Sequence, residues 1–281
     1  MIVDSHTHIF PPDVIARRDE HAGREAWFSH LYGSPSARMA SASELIAEMD
    51  RCGVDCSVVC GFAWNSFDLY VESNSYIADA VSRFPGRLIG FANVPPTHPQ
   101  AALELERCLD LGLRGIGELK PDGQGFDLAD DSAIGPLAAL AAENNLPVLI
   151  HLSEPVGRTY PGKGGTSPRK GFNFAACHPD LKLIYAHWGG GLAFYELMPD
   201  VKDSLGNVWY DSSASPLLYS PDIYRISIEI VGREKVLFAS DFPLISPERY
   251  MNELDQAGLD DEERRAFLGR NAAALFGLEA S

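Results

Sequence analysis

Residues 147–152, Pro-Val-Leu-Ile-His-Leu, and residues 181–187, Leu-Lys-Leu-Ile-Tyr-Ala-His, decide how this chain is to be read. Each is an apolar run with little alternation that leads up to a histidine, His151 or His187. Runs of that kind suit strands covered on both faces, as in parallel sheets packed between helices. Working outward, comparable runs occur at Ile2–Ile9, Cys56–Phe62, Leu88–Val94, Gly115–Lys120, Val208–Ser212 and Val236–Asp241, which makes eight. The seven intervals from His6 to Asp241 average about 34 residues, the length of one strand–helix unit. Between the runs, apolar residues fall three and four apart, as in Leu45, Ile46 and Met49 or Leu103, Leu105, Leu109 and Leu111. Ser43, Thr97, Asp131 and Asp260 are candidate N-caps for such helices. The expected fold is α/β, a (β/α)8 TIM barrel forming one domain over residues 1–281, with any site at the C-terminal strand ends. A doubly wound sheet is the alternative, but no GxGxxG follows the first run.

Composition narrows the function. The chain has 281 residues, 23 Lys and Arg against 39 Asp and Glu, and a net charge of −16. That balance argues against a sequence-independent nucleic-acid binder, which needs clustered cations to neutralise phosphates. No stretch approaches the roughly 18 apolar residues of a membrane span. The opening MIVDSHTHIF lacks the basic and long apolar regions of a signal peptide. A cytoplasmic location follows as an expectation, and five cysteines, an odd number, suit a reducing compartment. Cys52, Cys56 and Cys60 are spaced by four but cross from helix to strand, so they read as buried thiols rather than a metal site.

Chemistry gathers at the strand ends. Asp4-Ser5-His6-Thr7-His8 places two imidazoles on one side of the first strand, because residues i and i+2 share a face. The fourth run ends in Glu118-Leu119-Lys120, the fifth at His151, the sixth at His187 and the eighth at Ser240-Asp241. Burying such groups costs several kcal/mol unless they are paired or bound to metal. The set His6, His8, Glu118, His151, His187 and Asp241 is a mixed N/O donor group. It suits a divalent metal, Zn(II) first, with Mn(II), Fe(II) or Co(II) as alternatives. One ion (His6, His8, His151, Asp241) and two ions (adding Glu118 and His187) both remain open. Asp241 is expected as general base toward an activated water, and His187 as oxyanion stabiliser or proton shuttle. Asp4 is expected to orient a histidine.

Two connections are long enough to be lids, residues 11–42 and 153–172. The second carries Arg158, Lys163, Arg169 and Lys170 against Glu154 alone, and Gly162, Gly164 and Gly165 open its backbone to an anion. Arg158 and Lys163 are therefore candidate anion-binding residues. Tyr160, Lys120 and Trp188 are candidate wall residues, with core packing as the competing reading of Trp188. The expected partner is a small anionic molecule, with no nucleic acid and no membrane; a homo-oligomer is left open.

These residues resemble the amidohydrolase superfamily of metal-dependent (β/α)8 barrels across the whole chain. His6-x-His8, His151, His187 and Asp241 fall where that superfamily keeps its ligands. His187-Trp188-Gly189-Gly190-Gly191, Ser240-Asp241-Phe242-Pro243 and Gly269-Arg270-Asn271-Ala272 are similar to the amidohydrolase-related branch, which holds hydrolases and nonoxidative decarboxylases. Glu118 is similar to the bridging glutamate of TatD-like deoxyribonucleases. Lys120 is a second candidate, for the carboxylated lysine other members carry. The resemblance implies first a hydrolase of a small ester, lactone or amide. The alternative is nonoxidative decarboxylation of an aromatic or unsaturated acid, and a TatD-like phosphodiesterase ranks third.

Overall fold

The computed structural model describes residues 1–278 and places a strand in every one of the eight runs. They are β1 (Val3–His8), β2 (Cys56–Cys60), β3 (Leu88–Ala92), β4 (Gly115–Leu119), β5 (Pro147–Ile150), β6 (Lys182–Tyr185), β7 (Val208–Asp211) and β8 (Val236–Leu237). Neighbours pair in parallel in sequence order. The ring closes between its two ends: Ser5 N–H donates to the Phe238 carbonyl at 2.8 Å, Asp241 N–H to His6 at 2.9 Å and His8 N–H to Phe242 at 2.7 Å. The fold is a (β/α)8 barrel.

Alternation along the strands divides the core. Cys56, Val58 and Cys60 turn inward with Val3, Phe91, Leu149, Ile184 and Leu237, and Ala272 and Leu275 of the last helix join this cluster. The other strand faces pack against the surrounding helices in a larger layer that includes Val59, Ile116, Val148, Ile150 and Leu183. A third cluster, Phe10, Val14, Phe28, Phe62, Trp64 and Tyr70, lies under the first long connection. That connection is not irregular: it holds short helices at Pro12–Ala16, Arg18–Arg24 and Ala26–Tyr32. The second ends earlier than expected, because Pro168 begins the helix Pro168–Cys177.

Helix starts were the least legible boundaries. The helix Ala42–Cys52 is capped by Ser41, not Ser43, because Ser41 and Glu44 satisfy each other's backbone N–H in a capping box. Asp130 rather than Asp131 caps the helix Asp131–Glu143, and Gln100 rather than Thr97 precedes the helix Ala101–Asp110. Asp260 caps as expected, in a second capping box with Glu263. Among the described residues no helix is long and apolar enough to cross a membrane.

Candidate metal centre

Each donor sits near a strand's C-terminal end, from two residues before it (His6) to four residues beyond it (Asp241). His6 and His8 project from β1, their Nε2 atoms 3.1 Å apart. Asp241 follows β8 and brings Oδ1 within 3.4 Å of His8 Nε2 and 4.0 Å of His6 Nε2. Glu118 rises from β4; its Oε2 lies 3.8 Å from His6 and 3.7 Å from His8. The other carboxylate oxygen, Oε1, lies 2.9 Å from His151 Nδ1. His187 completes this side, with Nε2 3.1 Å from His151 Nδ1 and 3.9 Å from Glu118 Oε1. The donors thus form two groups of three, His6–His8–Asp241 and Glu118–His151–His187, with the atoms of each within 4.8 Å of one another. Both His187 and Asp241 hold left-handed backbone, φ 57° and 60°. Such conformations cost non-glycine residues about 1–3 kcal/mol and persist where surrounding contacts impose them.

The partners of the outer ring nitrogens decide what the inner ones offer. His6 Nδ1–H donates to Asp211 Oδ2 at 2.9 Å, and His8 Nδ1–H to the Gly61 carbonyl at 3.3 Å. With those protons on Nδ1, two Nε2 lone pairs face one another at 3.1 Å beside a carboxylate. Only a cation, a proton or a metal ion, satisfies that arrangement. The second group differs: His151 Nδ1–H can donate to Glu118, so its needs are met internally. The donor chemistry therefore fits a divalent ion best at His6, His8 and Asp241.

The field points the same way. Burial alone would discharge His6, yet Asp211, Glu118 and Asp241 hold its pKa up to about 10. Burial would likewise neutralise Glu118, but Lys120, His151 and His6 keep it well below the usual carboxylate range. Asp241 is held low against burial by its bond to His8 and by His6 and His187. His151 is pushed down to about 4 by burial and by the Lys120 ammonium, against the pull of Glu118. Anionic oxygens concentrated on one point favour a positive guest.

A cavity of about 420 Å³ opens onto these groups. Leu31, Phe62, Leu217 and Leu218 supply apolar wall, Tyr32 and Tyr160 amphipathic wall, and Arg38, Lys120 and Arg158 positive charge. Lys120 Nζ stands 3.7 Å from Glu118 Oε2. Arg158 faces the cavity while donating to the Leu217 carbonyl at 3.0 Å. Tyr160 also lines it, its hydroxyl donating to Glu154 at 3.0 Å.

Other expectations are not brought together here. Lys163 lies outside the lining; its ammonium donates to the Val156 and Arg158 carbonyls and pairs with Glu154, closing its own loop. Trp188 is fully buried, with its indole N–H on Ser215 Oγ and its ring beside Tyr224, so the packing reading holds. The amides of Gly164 and Gly165 do approach acceptors, but these are the protein's own Ser153 hydroxyl and Asp122 carboxylate. Asp4 orients no ring: it accepts the Ser240 and His6 backbone N–H groups, and burial raises it to about 7.

Three residues, Asp211, Ser213 and Arg38, escaped sequence reasoning. Asp211, fully buried at the end of β7, braces His6 through Oδ2 and takes the His187 N–H and the Ser213 hydroxyl on Oδ1. Ser213 in turn holds His187, whose Nδ1–H donates to its carbonyl at 3.0 Å. The signal was present, since this run too ends in an acid, but Asp-Ser-Ser also reads as a turn. Arg38 had no signal beyond its place in a long loop.

Donors of this mix, gathered at the C-terminal mouth of a closed parallel ring, place the molecule among metal-dependent barrel enzymes. Its sequence says which: it matches the Amidohydrolase family over residues 3–278, and the chain belongs to that family. It is similar to 2-amino-3-carboxymuconate-6-semialdehyde decarboxylase of Dictyostelium discoideum, 25% identical over an alignment covering 99% of this chain and 92% of the relative. Its fold is similar to that of 5-carboxyvanillate decarboxylase from Sphingomonas paucimobilis, with TM-score 0.76, 20% identity and 99% coverage of both chains. A dihydroxybenzoic acid decarboxylase from Polaromonas, solved with manganese and 2-nitroresorcinol, matches with TM-score 0.74 and 17% identity, covering 100% of this chain and 98% of that one. These relatives favour the decarboxylase alternative over the hydrolase expected first. The likeness of Glu118 to a TatD-type bridge gains no support from them.

Proposed function

We propose that the protein is a metal-dependent nonoxidative decarboxylase of a small aromatic or unsaturated carboxylic acid. The observation that carries this reading is the meeting of Arg38, Lys120 and Arg158 with the donor group in one cavity of about 420 Å³. Pockets of that size suit a one-ring acid, and guanidinium groups suit carboxylate and phenolate oxygens. The named activities of the relatives support the same class.

His6, His8 and Asp241 would hold one divalent ion, with Mn(II) and Zn(II) both matching two imidazoles and a carboxylate. Such an ion supplies Lewis acidity toward substrate oxygens. Arg38 and Arg158 grip the substrate's anionic groups and set its orientation. Phe62, Leu217 and Leu218 strip water from the ring, so that the carboxylate destined to leave is poorly solvated. Carbon dioxide departs with the carboxylate carbon, and its place on the substrate is taken by a proton. His187, which lines the cavity, would take a proton from water at Nε2 and pass it to the vacated carbon, because Nδ1–H is held on Ser213 and the Glu118 carboxylate 3.9 Å away supports the charged ring.

Hydrolysis of an ester, lactone or amide keeps one specific observation in its favour. Glu118 belongs to the second donor group and also reaches the first, 2.9 Å from His151 Nδ1 and 3.8 Å from His6 Nε2, which would suit a two-ion centre. One experiment separates the readings. Purified protein loaded with Mn(II) or Zn(II) is offered hydroxybenzoates, enoic acids and a parallel set of esters and lactones. Carbon dioxide release with deuterium incorporated from D2O at the vacated carbon is expected. Ester or lactone turnover without carbon dioxide would refute the proposal.

A further inference from the structure

The loop between β5 and the helix Pro168–Cys177 carries Arg158 and Tyr160 into the cavity, yet its tip is mostly tied to itself. Tyr160 and Lys163 both close onto Glu154. What seats the loop on the barrel is a carboxylate from the turn after β4. Asp122 Oδ1 accepts Gly165 N–H at 2.9 Å, while Oδ2 accepts Thr166 N–H at 3.2 Å and the Thr166 hydroxyl at 2.9 Å. A Cβ at Gly164 would fall on this same carboxylate, so the loop backbone is shaped around it. Thr166 is buried, and its carbonyl takes Ser153 N–H at 2.9 Å, which ties the anchored limb to the residue two beyond His151.

The anchor stands on a rigid base. Lys120 N–H donates to Gln124 Oε1 at 2.9 Å, Gln124 Nε2 to Asn93 Oδ1 at 3.0 Å, and Asn93 Nδ2 to the Glu118 carbonyl at 2.9 Å. The peptide that presents Glu118 and the carboxylate that holds the loop therefore share one frame. Gly164 N–H reaches Ser153 Oγ at 3.0 Å, and that oxygen lies 3.1 Å from His151 Nε2.

We infer that Asp122 is a positioning residue for substrate binding: it docks residues 153–167 so that Arg158 and Tyr160 face the cavity. The inference rests on the reading of Arg158 as a substrate-binding group. Three hydrogen bonds to one carboxylate are an anchor of the charge-assisted kind, strong enough to set a local opening equilibrium.

The test uses the metal-loaded enzyme with Asp122→Ala, Asp122→Asn, Thr166→Val and Arg158→Ala. The first readout needs no substrate: limited trypsin digestion, followed by mass spectrometry, at the Arg158–Thr159 and Lys163–Gly164 bonds. Asp122→Ala is expected to speed cleavage there about tenfold, with Asp122→Asn and Thr166→Val giving smaller increases because each keeps part of the anchor. The second readout is kinetic, on whichever carboxylic acid is turned over: KM rises about tenfold in Asp122→Ala while kcat and bound metal stay near the wild type. Unchanged loop cleavage in Asp122→Ala, or a collapse of kcat and metal content with KM unmoved, would overturn the inference. If Arg158→Ala leaves KM unchanged while the cleavage pattern follows Asp122, the reading of Arg158 fails and the docking role of Asp122 stands by itself.

Discussion

Asp211→Asn tests the centre without touching a donor. The native carboxylate is fully buried and collects His6 Nδ1–H at 2.9 Å, His187 N–H at 3.0 Å, Ser213 N–H at 3.0 Å and the Ser213 hydroxyl. An amide of the same shape keeps one acceptor oxygen and turns an NH2 toward groups that are themselves donors. The bond facing His6 is then lost or reversed, and the ring can move its proton to Nε2, the atom proposed to hold the ion. A hydrogen bond to a charged partner contributes about 1.5–3 kcal/mol, and removing such outer support lowers metal affinity about 10–100-fold. The two figures agree, since about 1.4 kcal/mol is tenfold. The assay is competition for Mn(II) or Zn(II) against a chromophoric chelator, with thermal unfolding recorded with and without the ion. We expect affinity to drop by about 30-fold in Asp211→Asn, and by less in Ser213→Ala, which leaves the His6 bond intact. Affinity equal to wild type in a folded Asp211→Asn would refute the argument that His6 is held as an Nε2 donor through Asp211.

Glu118→Gln should retain one equivalent of metal by elemental analysis, because His6, His8 and Asp241 remain, whereas His8→Ala should lose it; loss of all metal in Glu118→Gln would move the ion to the other donor group. Gly190→Ala is expected to destabilise by about 1–3 kcal/mol in denaturant titration, because φ is 61° and the new Cβ would lie 2.5 Å from the Ser153 carbonyl carbon; an unchanged midpoint would contradict this close approach of the two backbones. Glu48 is held at about 2, below the ordinary 4.5, by its bonds from Arg51 against the effect of burial. Its depressed value means that the stability it contributes is fully present above about 4.5 and lost as pH falls toward about 2. The melting temperatures of wild type and Glu48→Gln should therefore differ at neutral pH and converge in acid, and a gap that persists at pH 2 would exclude the ion pair as its source.

Most of the barrel and of its donors was legible because both are written in the same places. A parallel strand buried on both faces is an apolar run, and a histidine or acid ending such a run has few structural reasons to be there. His151, His187 and Asp241 stand out on that ground alone. Asp211 ends its run in the same way, but two serines follow it, and Asp-Ser-Ser is equally the composition of a tight turn. Arg38 and Lys163 show the opposite limit. Both are loop cations, and only tertiary contacts decide that the first lines the cavity while the second bonds to its own backbone. The helices of residues 12–32 were hidden because each spans five to seven residues, too short for a periodic stripe to emerge.

Ring closure has a consequence for how the protein is made. Asp4 and Ser240, which meet at the seam between β1 and β8, are 236 positions apart. His6 and His8 leave the ribosome well before Asp241, which lies on the far side of the seven intervening strands and their helices. Until then the third donor of their group and the strand that closes the wall beside them are both missing. On the proposed reading, metal capture at His6, His8 and Asp241 would be a late event, open only to chains that have completed the ring. A chain truncated before residue 241 would carry both β1 imidazoles and still lack the proposed centre, so on that reading bound metal would report closure of the whole barrel.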